Sequence, residues 1–367
     1  MRTHFRSALL AAALTLCVTP AIAQQGVAFG ATAQSLEDPT FGGCLTTNPS
    51  CYHDWAHEER NGNRVLLYTR TAGPRHANIQ PAATTNGLNP APLCQQPPVA
   101  ALGCVVTPPP ATGSNNAAQR AIIRMLNAQG VVVDWTEDVN SVSNLHRYKA
   151  VIFLSTSRDT LWKHGTQAAI NPNCTTQPSP GVCPGNLTTS AHLDAAKTAL
   201  RQYMRAGGGF VGIHNAFGTE YNWPWYEGLL GNANYYDHGA NQDGIVQIET
   251  NDPIMAGIGP KGTRWPFKDE WYNLVPYPTN VKYLATVDES TLATRREIHP
   301  GHGKFHPVAW CHYYNGGRVF VTTMGHDAAA FADPAGIPAP TFPGHAQFQS
   351  MITNGILATM GNIPFCT

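Results

Sequence analysis

Three histidines follow short apolar runs that have the composition of buried β-strands. They are His76, His214 and His326, and the polar segment 155–159 follows a fourth run of the same kind. Because ligands of open α/β sheets bind outside the carboxyl ends of the strands, we expect these side chains to meet at one edge. A single histidine after a strand is usually a structural hydrogen-bonding group, but four polar strand ends together indicate a site.

The segment Gly212-Ile-His214-Asn-Ala216 has the pattern of a nucleophile elbow. Small residues two positions before and after the central residue let a strand turn sharply into a helix. The central residue is His214 rather than serine or cysteine, so acid–base chemistry, metal ligation or binding of a sugar hydroxyl is expected there. The alternative is a tight turn with a structural histidine.

Aromatic and polar side chains cluster in two further segments. The first is 223–242, which contains Trp225, His238 and Gln242; the second is 269–272, with Glu270 and Tyr272. Aromatic rings beside carboxylates and amides are typical of sugar sites, and also of ordinary cores and their rims.

The segment HPGHGKFHP contains three closely spaced histidines, His299, His302 and His306. Their density is that of a metal site. The HExxH motif of zinc metalloproteases does not occur in the sequence, so this segment alone is a weak metal candidate.

The pattern of apolar runs predicts the elements that position these residues. Predicted strands cover residues 64–69, 131–135, 148–154, 207–213, 244–249, 281–286, 306–314 and 318–323; predicted helices cover 117–129, 190–205 and 348–359. Strands that alternate with helices indicate an α/β fold with a doubly wound, mostly parallel sheet flanked by helices. The later strands, with few helices between them, are expected to add antiparallel pairs at an edge. Residues 80–117 and 164–190 are Pro- and Asn-rich insertions.

Composition narrows the class of protein. The 367 residues are 43% hydrophobic and 13% charged, and 23 basic residues balance 23 acidic ones. A disordered chain would be less hydrophobic. A nucleic-acid-binding protein would carry a basic excess, so no nucleic-acid partner is expected. A neutral chain suits an uncharged sugar.

The first 23 residues have the features of a secretory signal. Arg2 and Arg6 precede the apolar segment 9–18, which is too short to cross a bilayer, and the small-x-small pattern ends at Ala23. We expect cleavage near Ala23, a periplasmic or secreted protein without a membrane span, an N-terminal extension at 24–63 and one domain at 64–367.

Loss of the signal removes Cys17 and leaves eight cysteines, which in an exported chain indicate disulfides. Sequential pairing predicts Cys44–Cys51, Cys94–Cys104, Cys174–Cys183 and Cys311–Cys366, although eight cysteines allow 105 pairings. Because no CxxC-like spacing occurs, a zinc cluster of cysteines is not expected.

Taken in order, several segments resemble the ThuA-like (trehalose utilisation) family. They are 65–79, 133–138, 148–161, 203–231, 237–258, 268–274 and 306–327, and with the closing helix the resemblance spans roughly residues 64–361. The resemblance implies a flavodoxin-like fold similar to that of class I glutamine amidotransferases, without the cysteine nucleophile of those enzymes. Pro74 departs from the family, which often has an aromatic residue there. The pocket it implies comprises His76, His214, His238, Gln242, Glu270, Tyr272, His306 and His326.

These observations predict an exported carbohydrate-active protein, a hydrolase or lyase acting on a small glycoside or 3-keto-glycoside. Glu270 and a histidine would serve as acid and base. Trp225, Tyr272 and Trp310 are candidate stacking surfaces. Asp269 is a poor second carboxylate, because neighbours on a strand point to opposite faces.

Two alternatives stay open. One is a non-catalytic sugar-binding protein with the same pocket. The other is a metal-dependent enzyme that uses His76, His214, His238 or His326 with Glu270. No cofactor is required by the sequence, although a divalent metal is compatible with it.

Overall fold

The structure is a computed structural model. It describes residues 43–55, 62–82, 88–91, 93–95, 102–107, 115–161, 195–294, 298–332 and 342–367. The predicted signal peptide, much of the N-terminal extension and the predicted pair Cys174–Cys183 lie outside these residues.

Twelve strands are found in the part of the chain that the structure describes. They are β1 (Leu45–Thr46), β2 (Arg64–Tyr68), β3 (Val132–Thr136), β4 (Ala150–Leu154), β5 (Gly209–Ile213), β6 (Tyr235–His238), β7 (Gln242–Ile248), β8 (Arg264–Asp269), β9 (Tyr272–Leu274), β10 (Lys282–Val287), β11 (His306–Tyr314) and β12 (Gly317–Thr322). Ten of them form one sheet, in the order β3-β2-β4-β5-β12-β11-β10-β7-β8, with β1 paired to β11. The remaining two, β6 and β9, form a small antiparallel sheet.

The first five strands in the order of the large sheet are parallel to one another. Every residue of β4 and of β5 is buried, as expected for parallel strands covered on both faces. In β2 the side chains alternate: Val65 and Leu67 enter one hydrophobic core, and Leu66 and Tyr68 enter the other.

Helices cover both faces of this parallel half. They are α1 (Ala117–Asn127), α2 (Ala195–Arg205), α3 (Pro224–Leu229) and α4 (His345–Thr359). Buried residues of α1 and α4 belong to the same core as Val65, and those of α2 and α3 to the core of Leu66. The expected doubly wound α/β fold is confirmed, with few helices for a sheet of this width.

From β12 onward the neighbouring strands of the large sheet pair antiparallel. This confirms the antiparallel addition, which is larger than the edge pairs expected. Strand β8 was not predicted from the sequence. It lies at the edge of the sheet and contains Pro266, which breaks the strand pattern but is tolerated at an edge.

Three of the predicted disulfides are present: Cys44–Cys51, Cys94–Cys104 and Cys311–Cys366. The last joins the C-terminal tail to the buried strand β11, where Phe365 packs against Tyr313. No helix among the described residues is both long enough and apolar enough to cross a bilayer.

Candidate active site

Four side chains converge where the parallel strands end. His76 follows β2, His214 follows β5, His326 follows β12, and Glu270 lies in the short connection from β8 to β9. One nitrogen or oxygen atom from each lies within 4.8 Å of the others. Within the described ranges this is the only group of three or more histidine, cysteine or acidic residues that could hold a metal ion.

His214 occupies the predicted elbow in a strained backbone conformation. Its φ is 53°, and a short 3₁₀ turn, His214–Gly218, follows at once. The ring is fully buried, and Nδ1 lies 3.0 Å from the carbonyl oxygen of Thr323. Because a carbonyl only accepts, Nδ1 carries the hydrogen and Nε2 presents its lone pair to the site. There Nε2 lies 3.0 Å from the Tyr272 hydroxyl.

Other non-glycine residues with positive φ flank the same edge. Ser155 (46°) and Arg158 (52°) follow β4, and Glu220 (53°) follows the turn after His214. Such conformations each cost about 1–3 kcal/mol and persist only where surrounding contacts hold them, which is common at functional sites. One contact is the bond from Asn78 Nδ2 to Ser155 Oγ, 3.0 Å long.

Glu270 lies at the centre of the histidines. Its Oε2 is 3.1 Å from His326 Nδ1, 3.5 Å from His238 Nε2 and 4.0 Å from His214 Nε2. Burial raises the pKa of Glu270, but the hydrogen bond from His326 and the neighbouring imidazoles outweigh burial and lower the pKa overall. The carboxyl group is therefore ionised and available as a ligand or base.

His326 shows the reciprocal effect. Burial lowers its pKa, but the hydrogen bond to Glu270 and the charge of that carboxylate outweigh burial and raise the pKa. The pair is therefore stabilised as imidazolium and carboxylate when no cation lies between them.

His76 completes the cluster from the loop after β2. Its ring meets those of His214 and His326 edge to face, with centroids 4.6 and 5.5 Å apart. Burial, followed by repulsion from His326, lowers the pKa of His76 to about 4, so the ring is neutral. Its Nδ1 is buried without a hydrogen-bond partner among the described residues. Burying a nitrogen without a hydrogen-bond partner costs free energy, so this atom is a good candidate for binding a ligand.

Asp269, the last residue of β8, is fully buried and binds backbone N–H groups. Its Oδ2 accepts the N–H of Gly325 at 2.7 Å, and Oδ1 accepts those of Glu270 at 2.8 Å and His326 at 3.2 Å. Burial raises the pKa of Asp269 to about 7, although these N–H groups and the charge of His326 oppose the rise. Asp269 thus holds the backbones of two cluster residues in place. No local pattern indicates this role, because Gly325 and His326 lie 56 and 57 positions from Asp269 in the sequence.

His238 is a further histidine beside Glu270, with Nε2 3.5 Å from its Oε2. Its side chain is 28% exposed, and Nδ1 is 2.6 Å from the carbonyl oxygen of Gly239. Nδ1 therefore carries the hydrogen, and Nε2 faces Glu270. His238 is not among the four residues whose ligand atoms meet.

Two predicted contacts with a ligand are corrected by the structure. Trp225 and Trp310 are 2% and 0% exposed and lie in the hydrophobic core. Trp225 packs on Trp223, and Trp310 donates to the carbonyl oxygen of Leu230. Neither ring offers a face to a ligand.

Tyr272 and His306 are buried supports of the cluster rather than exposed binding groups. Tyr272 is 1% exposed and contacts His214 through its hydroxyl. His306 lies 2.8 Å from Glu289 through Nδ1 and 2.9 Å from the carbonyl oxygen of Tyr272 through Nε2. Both ring nitrogens of His306 face buried oxygens that only accept, whereas His214 Nε2 faces the rotatable hydroxyl of Tyr272. His306 therefore directs no lone pair at the site.

Gln242 is held by Thr294 through both ends of its amide, with bonds of 2.7 and 2.9 Å. These bonds give it a structural role in fastening the loop before β7.

The histidines of the segment 299–306 do not form a metal site. His302 Nε2 accepts the N–H of Leu274, and His306 is engaged as described.

The fold and the cluster define an α/β protein with a histidine-rich centre at the carboxyl ends of its parallel strands. Residues 182–337 match the family model ThuA, described as trehalose utilisation. The match contains His214, His238, Glu270 and His326, whereas His76 lies before it. No curated protein matches the sequence.

Several solved structures are similar at a distance. A ThuA-like protein from Bacteroides uniformis is 17% identical, with a TM-score of 0.47, over 80% of this chain and 90% of the other. One from Parabacteroides merdae is 15% identical, with a TM-score of 0.48, over 82% and 91%. An α-L-fucosidase from Paenibacillus thiaminolyticus is 12% identical, with a TM-score of 0.42, over 82% and 33%.

Proposed function

We propose that this protein is an exported, metal-dependent carbohydrate-active enzyme whose divalent ion is bound by His76, His214, His326 and Glu270. The observation that supports it most is the convergence of their ligand atoms within 4.8 Å. The assignment to carbohydrate metabolism is supported by the match to the trehalose utilisation family model.

The donor set suits a borderline transition metal. Imidazole and carboxylate ligands are typical of Zn²⁺ and of other first-row divalent ions. Ligands bound at about 2.1 Å lie no more than about 4.2 Å apart, so small side-chain rotations would close the cluster. The hydrogen bond from His214 Nδ1 to Thr323 is the outer contact that orients a ligating imidazole.

His238 is the group best placed to move a proton. It lies outside the ligand set, is partly exposed, and has Nε2 3.5 Å from Glu270 Oε2. An imidazole at this position could exchange a proton with a substrate seated between it and the metal ligands.

The reaction class that fits is cleavage of a 3-keto-glycoside by elimination. His238 removes the proton on the carbon next to the ketone and the C–O bond on the following carbon breaks. The leaving oxygen takes up the proton that His238 removed, so the alcohol departs and His238 is regenerated. A bound ion would polarise the ketone oxygen. The reaction needs no oxidant, because the sugar is already oxidised. It needs no second carboxylate either, and Asp269 is directed to backbone N–H groups. A hydrolysis product follows if water adds to the enone.

Export is part of this proposal. It is supported by the signal-like segment 1–23 and by three disulfides, which persist in oxidising compartments. A periplasmic or secreted enzyme of this kind would meet small saccharides before uptake.

Metal analysis of the purified protein is the primary test. After loading with Zn²⁺, Mn²⁺ or Co²⁺ and desalting, we expect about one ion per chain. His326→Ala and Glu270→Gln should lower metal affinity by at least about tenfold. The matched control is His345→Ala, since His345 lies at the start of α4, away from the cluster, and its loss should leave metal content unchanged.

Turnover of 3-keto-disaccharides and of the unoxidised disaccharides is measured on the same preparations. His238→Gln should keep the metal and lose about 10²–10⁴-fold in kcat, the usual contribution of a general base. A fully active enzyme after chelation would refute metal dependence and favour acid–base catalysis by Glu270 and a histidine alone. Saccharide binding without turnover would favour a sugar-binding protein.

A further inference from the structure

Exposed apolar side chains gather beside the small sheet formed by β6 and β9. Tyr236 is 46% exposed, Val275 47%, Ile298 67% and Phe305 37%. They come from β6, from the residue after β9, and from the segment 298–305. Four of the seven large apolar side chains found exposed among the described residues therefore lie in this one region. Exposed apolar side chains that lie together often mark a binding surface, whereas single exposed ones are normal.

Contacts between rings connect this region into one surface. Tyr236 lies against His299 with ring centroids 5.7 Å apart, and Tyr277 donates to the carbonyl oxygen of Phe305 at 2.9 Å. Tyr235 meets Tyr272 edge to face at 4.7 Å. We call Tyr235, Tyr236, Tyr277, His299 and Phe305 the aromatic rim.

The aromatic rim begins at the candidate active site. Tyr236 and His238 are separated on β6 by Asp237, which is buried and accepts a bond from Asn273 at 2.8 Å. The pairing of β6 with β9 shifts register between Tyr235 and Asp237, so simple alternation does not hold there, and Tyr235 is the rim residue next to His238. The ring of Tyr235 lies 5.9 Å from that of His238. A ligand at Glu270 that extends past His238 therefore reaches the rim.

Resting on the function proposed above, we propose that the aromatic rim binds a second sugar unit, the leaving group of a disaccharide. Tyrosine presents an apolar ring face to the C–H surface of a pyranose and a hydroxyl to its polar edge. A protein partner fits less well, because a partner seated on a surface continuous with His238 would obstruct the approach to that residue. The substrate class is thus a disaccharide or longer glycoside rather than a simple alkyl glycoside.

Two substrates with the same reacting ring test this inference: 3-keto-trehalose and methyl 3-keto-glucoside. For Tyr236→Ala, the ratio of kcat/KM for the disaccharide to that for the methyl glycoside should fall about tenfold, with the loss in KM rather than in kcat. Tyr236→Phe, which keeps the ring face, should stay within about twofold of the parent ratio. An unchanged ratio in Tyr236→Ala would overturn the inference.

Calorimetric titration of the metal-loaded His238→Gln variant with trehalose and methyl glucoside separates this inference from the proposed function. If trehalose binds more tightly than methyl glucoside, and the difference is lost when Tyr236 is also replaced by alanine, the result supports the aromatic rim even where no turnover occurs. Turnover with equal binding of the two sugars supports the enzyme and rejects the rim. Light scattering of the parent and of Tyr236→Ala measures whether the protein forms a dimer through this surface. A dimer that is lost in Tyr236→Ala, together with an unchanged ratio of kcat/KM for the two substrates, would assign the surface to self-association and overturn the inference.

Discussion

At the scale of single residues, the backbone decides which nitrogen of each histidine faces the site. Thr323 fixes the hydrogen of His214 on Nδ1, and Gly239 does the same for His238. Both rings therefore present Nε2 toward Glu270, at 4.0 Å and 3.5 Å from its Oε2.

Asp269 is the residue whose effect on the cluster is easiest to isolate. Asp269→Asn keeps the size of the side chain but places an NH₂ group where an oxygen accepts N–H bonds from Gly325 or from Glu270 and His326. Because the backbones of two proposed ligands lose an anchor, we expect metal affinity to fall about 10–100-fold, measured by competition with a chelating dye.

Asp243→Asn is the matched control for this variant, since Asp243 is exposed on β7 and should leave metal affinity unchanged. Thermal unfolding of both variants without metal separates a local effect from a general loss of the fold. If Asp269→Asn unfolded earlier but bound metal as tightly as the parent, the positioning role would be wrong.

At the scale of elements, the segment 298–305 depends on one buried carboxylate. Glu289 accepts the N–H of Gly303 at 2.9 Å, that of His302, and the ring of His306 at 2.8 Å. Burial raises the pKa of Glu289, but these hydrogen bonds outweigh it and lower the pKa to about 2. The ionised carboxylate therefore stabilises the loop that carries part of the aromatic rim.

This anchoring predicts how stability depends on pH. The pKa of Glu289 is about 4.5 when unfolded and about 2 when folded, so its stabilisation is complete above pH 4.5 and lost as pH falls toward 2. Glu289→Gln should lower the free energy of unfolding by about 1–3 kcal/mol at pH 7. Urea unfolding at pH 7, 5, 4 and 3 should show the difference from the parent shrinking below pH 4.5. A difference that stays constant to pH 3 would contradict this role.

At the scale of the whole molecule, the C-terminus is joined to the centre of the sheet. The Cys311–Cys366 bond spans 55 residues of sequence and fastens the tail that follows α4 to β11, between the parallel and antiparallel halves. The Cys44–Cys51 bond spans only 7 residues and closes a local loop.

A disulfide that closes a longer loop removes more entropy from the unfolded chain. Replacing Cys311 and Cys366 together by alanine should cost about 4 kcal/mol, and replacing Cys44 and Cys51 together should cost less. Unfolding midpoints in urea of the two double variants, measured without reductant, provide the comparison. Equal losses in both would show that the tail bond contributes no more than a local loop does.

Prediction from sequence succeeded where a local pattern has one physical outcome. Continuous apolar runs located β4 and β5, and small residues around His214 predicted its sharp turn. Prediction failed where burial depends on distant segments. Trp225 and Trp310 lie near polar residues in the sequence, yet the tertiary packing encloses them in the core.

Local patterns were enough to predict the parallel half of the sheet, three of the disulfides and the histidines that follow the strands, because side-chain periodicity, cysteine spacing and turn chemistry act over short stretches of chain. The meeting of His76, His214, Glu270 and His326, and the contacts of Asp269 and His306 with residues around them, follow from packing between distant segments. These residues are separated by up to 250 positions, and their meeting depends on the strand order, with Glu270 reaching the centre from the far edge strand β8.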